Sequence, residues 1–292
     1  MKRQLYYIYW FFRTLPLRRN FPKYNVLSVE ETITDIVTNK KSLSRFGDGE
    51  FRLVNRERNI VFQSLSNEIA DRLSEVLNSK LPNHLVAIPS SFVSVKEFKR
   101  EAKIHWLHFI NQYGDQIAQS ITNKKYVFGN AFISRFYIDY QSKKDAVKVV
   151  RLLKEIWNLK DVVIVEGEFS RLGVGNDLFG NAKTLQRIIC PSKDAFSKYD
   201  TILEIAKLHG KHKLILIALG PTASVLAYDL AKSNYWAIDI GHVDVEYMWM
   251  LQNAKNKIPI KGRYVAEAAS NENFEIQEND RELYRSSIIC NI

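Results

Sequence analysis

Four apolar runs constrain this chain more than any other feature: Leu85-Val86-Ala87-Ile88, Val162-Val163-Ile164-Val165, Leu214-Ile215-Leu216-Ile217-Ala218 and Trp236-Ala237-Ile238-Asp239. Runs this short read as strands, and without polar alternation they must be covered on both faces, the condition of a parallel sheet. The segments between them have helical periodicity. Ser66 to Leu77 sets Ile69, Leu73, Val76 and Leu77 on one face behind Ser66 as N-cap, and 95–121, 144–158 and Thr222 to Lys232 are also expected to be helical. The alternation predicts an α/β protein with a Rossmann-like, mostly parallel sheet, helices on both faces and a single main domain, residues 25–255. Residues 1–24 are set apart as an aromatic and basic N-terminal segment, and 256–292 as a C-terminal tail.

In a sheet of this kind the carboxyl ends of the strands share one edge, so loops far apart in sequence meet in one crevice. Four segments carry chemistry there. In Ser44-Arg45-Phe46-Gly47-Asp48-Gly49-Glu50-Phe51, two carboxylates stand two residues apart between glycines. Asp48 and Glu50 can hold one hard divalent cation against a diphosphate if the turn is tight, and Gly47 and Gly49 tolerate the positive φ such turns often need. Arg45 is close enough to meet a phosphate. An isolated Asp-Gly-Glu is also a common surface turn, so the segment gains weight only from the others. After Val165, the loop from Glu166 to Asp177 combines Gly173 and Gly175 with Arg171 for a phosphate and Glu168, Asn176 and Asp177 for sugar hydroxyls. Gly220 and Thr222 open the helix after Ala218, with Thr222 the expected N-cap, and a helix start is a natural anion seat. Finally, Asp239 to Tyr247 contains Asp244 and sets His242 and Glu246 four apart, on one face if helical.

Composition limits the partners. At 46% hydrophobic and 25% charged residues, disorder is not expected. Two cysteines, Cys190 and Cys290, make neither a disulfide framework nor a CxxC metal site, which fits a reducing compartment. A net charge of +10 attracts anions in general: nucleotides, nucleic acid or an acidic membrane. No RNP-type segment, zinc spacing or helix-turn-helix supports nucleic acid. The run Leu5-Tyr6-Tyr7-Ile8-Tyr9-Trp10-Phe11-Phe12 is too short for a bilayer, which needs about 20 residues, and lacks a signal-peptide cleavage site. Flanked by Lys2, Arg3, Arg13, Arg18, Arg19 and Lys23, it suits the headgroup layer of an anionic membrane; packing on the domain or a partner subunit is the other reading. The expected location is the cytoplasm, peripheral at the inner face of the membrane.

Taken together, these segments resemble the GT-D-type glycosyltransferases, found in bacterial glycosylation loci and first catalogued as a domain of unknown function. The likeness runs from the Asp48/Glu50 segment through Phe132 to Asp139, Ile164 to Phe179, Arg187 to Pro191, Leu214 to Leu230 and Ala237 to Tyr247. One departure is Phe136, where the family's arginine-containing segment would carry proline. The resemblance implies transfer of a hexose from a nucleotide-sugar donor, UDP-linked, to a hydroxyl of a glycan or glycoprotein acceptor. It implies Mn²⁺ or Mg²⁺ on Asp48 and Glu50, and donor contacts from Arg45, Gly47, Arg171, Gly173, Gly175, Asn176, Asp177, Gly220, Thr222 and Asp244. An inverting reaction would also need a base, for which Glu168, Asp177, His242, Asp244 and Glu246 stay open. Two other classes remain: a metal-dependent phosphohydrolase or nucleotidyltransferase, and a non-catalytic module that binds anionic surfaces.

Overall fold

The computed structural model describes residues 2–268, 275–276 and 278–292, without the side chains of 2–4 and 18, so the Lys2, Arg3 and Arg18 cations lie outside the described side chains. Among the described residues nine strands form one sheet: β1 Asn25–Val26, β2 Ser42–Arg45, β3 His84–Ile88, β4 Val127–Asn130, β5 Asp161–Gly167, β6 Thr184–Cys190, β7 Leu214–Ala218, β8 Trp236–Asp239 and β9 Ile288–Asn291. Their order is β1-β4-β3-β2-β8-β7-β5-β6-β9, and every neighbouring pair is parallel. The predicted Rossmann-like α/β architecture is therefore the observed one.

The uninterrupted apolar runs explain the layering, because successive strand residues face opposite ways. Val162, Ile164, Leu214, Leu216 and Ile238 join the helices Val29–Asn39, Ala146–Trp157 and Val243–Leu251 in one core. Val163, Val165, Ile215, Ile217 and Ala237 turn to the other face, packing with residues of helices Tyr199–Gly210 and Pro221–Lys232. A third cluster fills the β3/β4 side of that face, under the helices Asn67–Leu77 and Arg100–Ser120. Local signals place these helices. The Ser66 hydroxyl accepts from Ile69 N as the predicted N-cap, and Ser28 with Glu31 closes a capping box. The helix expected over 95–121 is Arg100–Ser120, and that over 144–158 is Ala146–Trp157.

The described residues beyond 255 pack into the domain at two places. Strand β9 extends the sheet beside β6, and residues 260–268 cross the carboxyl edge as a strap. The strap is tied down at Arg263, whose Nε lies 2.5 Å from Asp244 Oδ2, and at Tyr264, whose N–H donates to Phe169 O. At the other end, Tyr7, Trp10 and Phe11 of helix Lys2–Arg13 pack against the domain, with Trp10 edge-on to His108 at 4.6 Å. No helix among the described residues is long and apolar enough to cross a membrane.

Candidate active site

The loops after β2, β4, β5, β7 and β8 surround a cleft of about 700 Å³ at the carboxyl edge of the sheet, closed on one side by helix Arg100–Ser120 and on another by the strap. Parallel strands expose their terminal carbonyls and the following helix starts at this edge, so polar and anion-binding groups gather there.

The two predicted metal carboxylates both line it, but not on a glycine-loosened turn. Gly47 is the N-cap of helix Asp48–Val54 with φ −102, and neither Gly47 nor Gly49 has a positive φ. Asp48 and Glu50 occupy the first helical turn, where residues two apart point about 200° from one another. Glu50 folds back so that Oε2 accepts from Gly47 N at 2.7 Å. Burial first, then the nearby Asp239 charge, raises its carboxyl to about 7, against the help of Gly47 and Arg45. Asp48 keeps its side chain 42% exposed in the cleft, 3.4 Å from His105 Nε2. Enclosure pushes its carboxyl up, but His105, Arg135 and Arg52 together hold it below its ordinary value.

Among the described residues, no three His, Cys, Asp or Glu side chains form a ready cation cage. Mg²⁺ and Mn²⁺ need no such cage when they share a substrate: one or two carboxylates suffice, with phosphates and water completing the shell. Asp48, ionised and open to the cleft, and Glu50, whose charge is poorly compensated, fit that chemistry.

Around this pair stand cations held by carboxylates, the buried Asp239 and the more exposed Glu267. Arg45 Nε donates to Asp239 O at 2.8 Å and Nη2 to Asp239 Oδ1 at 2.6 Å. Arg135, on the loop after β4, pairs with Glu267 of the strap at 2.5 Å, and the other Glu267 oxygen lies 3.1 Å from His242 Nε2. Burial opposes the Glu267 charge, but His242 and Arg135 outweigh it and keep the carboxyl strongly ionised. Burial, followed by Arg135, pushes His242 below its ordinary value. Phe136, which replaces an expected proline beside Arg135, is buried in the core and leaves Arg135 on the cleft wall.

The other predicted residues divide sharply. Gly220 lines the cleft and is the N-cap of helix Pro221–Lys232, with φ +55. Thr222 is not that cap: Pro221 takes the first helical position, and Thr222 is fully buried with Oγ1 donating to Gln63. Asp244 borders the cleft, but its Oδ1 accepts from Gly173 N and Asn176 Nδ2 while Oδ2 faces Arg263, so it clamps the β5 loop to the strap. Gly173 and Gly175 do take positive φ, +73 and +71, as a folded turn behind the cleft. Glu246 is fully buried; Oε2 accepts from Tyr137 N at 2.7 Å and Ile138 N at 2.8 Å, fixing the loop that carries Arg135.

Three candidates lie elsewhere. Glu168 is exposed beside a smaller depression, just past the end of β5 at Gly167, whereas Glu166 is buried inside the strand. Arg171 borders the same depression and donates to Gly262 O, holding the strap. Asp177 is exposed, paired with Lys154 and accepting from Tyr247. Residues not predicted for the site are His105, Trp106, Tyr264 and Glu267, all lining the cleft. His105 lies inside a long helix and Glu267 in the segment taken as a tail, so neither carried a local signal; Arg135 was marked only by the resemblance.

A family model described as "Glycosyltransferase GT-D fold" matches residues 43–268, the span that builds this cleft. The chain belongs to the GT-D glycosyltransferase family. "Probable glycosyl transferase Gly" of Streptococcus gordonii is 37% identical over 270 residues, covering 92% of this chain and 39% of that protein. "Glycosyltransferase GlyD" of Streptococcus pneumoniae serotype 4 is 36% identical over 268 residues, 91% of this chain and 32% of that one. This chain thus spans a third to two fifths of the curated relatives it matches. Among solved structures, one described as a highly conserved domain of unknown function with a distinct glycosyltransferase fold superposes with a TM-score of 0.90 at 35% identity, covering 96% of this chain and 99% of the other. A new glycosyltransferase from Streptococcus sanguinis does so at 0.84 and 37% identity, covering 92% and 99%.

Proposed function

We propose that this GT-D domain moves a hexose from a UDP-linked donor to a hydroxyl of a glycan or glycoprotein acceptor, assisted by Mn²⁺ or Mg²⁺. The observation that carries this is the meeting of Asp48 and Glu50 with Arg45 and Arg135 in one cleft at the carboxyl edge of the sheet. Cleaving the donor's glycosidic bond loads negative charge onto the diphosphate, and fixed positive groups lower that barrier. Arg45, oriented by Asp239, and Arg135, oriented by Glu267, supply such groups. Asp48 and Glu50 would hold the cation, which supplies Lewis-acid stabilisation of the leaving diphosphate.

Inversion at the anomeric carbon needs a base for the acceptor proton. Glu168 and Asp177 lie outside the cleft, while Asp244 and Glu246 are committed to buried hydrogen bonds. His242 remains, in the cleft and braced by Glu267, with burial favouring its neutral imidazole, the form that accepts a proton.

The test measures sugar transfer from UDP-hexoses with Mn²⁺ for the native chain and Asp48→Ala. Because the Asp48 side chain is half open to solvent, the variant should keep its melting temperature and lose kcat by about a hundredfold or more. Full activity in Asp48→Ala, or activity unaffected by metal chelation, would end the proposal; phosphate release without sugar transfer would indicate a phosphohydrolase instead.

A further inference from the structure

The helix Lys2–Arg13 has two apolar faces, and the domain uses only one. Tyr7, Trp10 and Phe11 turn toward the helix Arg100–Ser120 and the core beneath it. On the other side Leu5, Ile8, Tyr9 and Phe12 recur at the i, i+3, i+4, i+7 spacing of a single stripe, and they are 61%, 42%, 51% and 64% exposed. Water-facing stripes of this kind on a short helix mark a contact surface.

Charge selects the occupant. The first acidic residue of the chain is Glu30, and before it stand Lys2, Arg3, Arg13, Arg18, Arg19 and Lys23, more than half of the net +10. Arg13, Arg19 and Lys23 are exposed. An apolar stripe rich in aromatic rings, flanked by cations and free of carboxylates, matches a surface that is apolar inside and anionic at its boundary. We infer that this face of the helix docks in the headgroup layer of an anionic membrane, lying along it. At twelve residues the helix lies on a bilayer and does not cross it. The same long helix that holds Trp10 through His108 lines the cleft with His105 and Trp106, one turn away, so docking anchors a wall of the active site.

Deleting the N-terminal segment would uncover the core that Tyr7, Trp10 and Phe11 protect, so point substitutions on the outer stripe are the cleaner test. The chain is floated with vesicles of phosphatidylcholine alone and of phosphatidylcholine mixed with phosphatidylglycerol. Binding is expected to the mixed vesicles and to weaken as salt rises. Leu5→Ser with Phe12→Ser should lower it by about tenfold or more, with melting temperature and cleft activity unchanged. Arg13→Gln with Arg19→Gln should lower it on mixed vesicles only. Absence of binding, equal binding to both vesicles, or full retention by the Leu5/Phe12 variant would overturn the inference. A dimer in solution dissolved by the same two substitutions would also overturn it, assigning the stripe to a second copy of the chain.

Discussion

Replacing Glu246 with alanine removes the acceptor of two buried backbone N–H groups, Tyr137 and Ile138, from the turn that presents Arg135 to the cleft. Each orphaned buried N–H costs about 1–3 kcal/mol, so the hydrogen bonds alone predict a loss of roughly 2–6 kcal/mol. A second effect depends on pH. Burial is the largest influence on Glu246, raising its carboxyl from 4.5 to about 7 over the opposition of Arg135 and the two N–H donors. A folded-state value above the unfolded one means that the native state holds the proton more tightly. The resulting stabilisation is complete below about pH 4.5 and is lost as pH rises through about 7, a difference on the order of 3 kcal/mol. Glu246→Ala lacks this titration, so the gap between native and variant should be wider at pH 5 than at pH 8. Glu246→Gln keeps a carbonyl acceptor and should stay within about 1 kcal/mol of the native chain near pH 7. Urea unfolding of the three proteins at both pH values measures this directly. A pH-independent gap, or a Glu246→Ala chain as stable as the native one, would refute the account of how this loop is held.

Gly241→Ala should both strain a backbone at φ +36 and drive a methyl group into the Arg45 guanidinium, so transfer activity should fall sharply and stability by about 2 kcal/mol or more, read by activity and thermal melting. Asp244→Ala strands the buried Arg263 guanidinium, Gly173 N and Asn176; a broken buried pair predicts a loss of about 3–5 kcal/mol and faster proteolysis in the strap at 260–268. Gly173→Ala, at φ +73 with Phe179 Cδ2 2.5 Å from the new Cβ, should destabilise the chain by about 1–3 kcal/mol, again visible as a lower urea midpoint.

Much of the fold was legible because its signals are local. Four apolar runs announced β3, β5, β7 and β8, and a serine three residues before Ile69 marked a helix start. Strand β6 was harder to see, because its buried Arg187 breaks the apolar pattern and is compensated by the buried Glu166, 2.5 Å away on the neighbouring strand, and by Leu172 O. At the site, Asp48, Glu50, Arg45, Gly220 and His242 were found because each stands at or soon after the end of a strand, where a parallel sheet directs its loops.

The sequence by itself determined that the chain would build a parallel sheet and which loops would border its carboxyl edge, since periodicity and strand length depend only on near neighbours. Tertiary structure decided which polar side chains face the cleft and which serve as clamps. Glu246 and Asp244 have the composition of catalytic groups, yet each is spent on backbone or side-chain donors more than sixty residues away. His105 and Glu267 look unremarkable in the chain and become part of the site only because a long helix and the strap at 260–268 pack over it. A carboxylate's role is set by the donors that reach it in three dimensions, and that information is absent from any single segment.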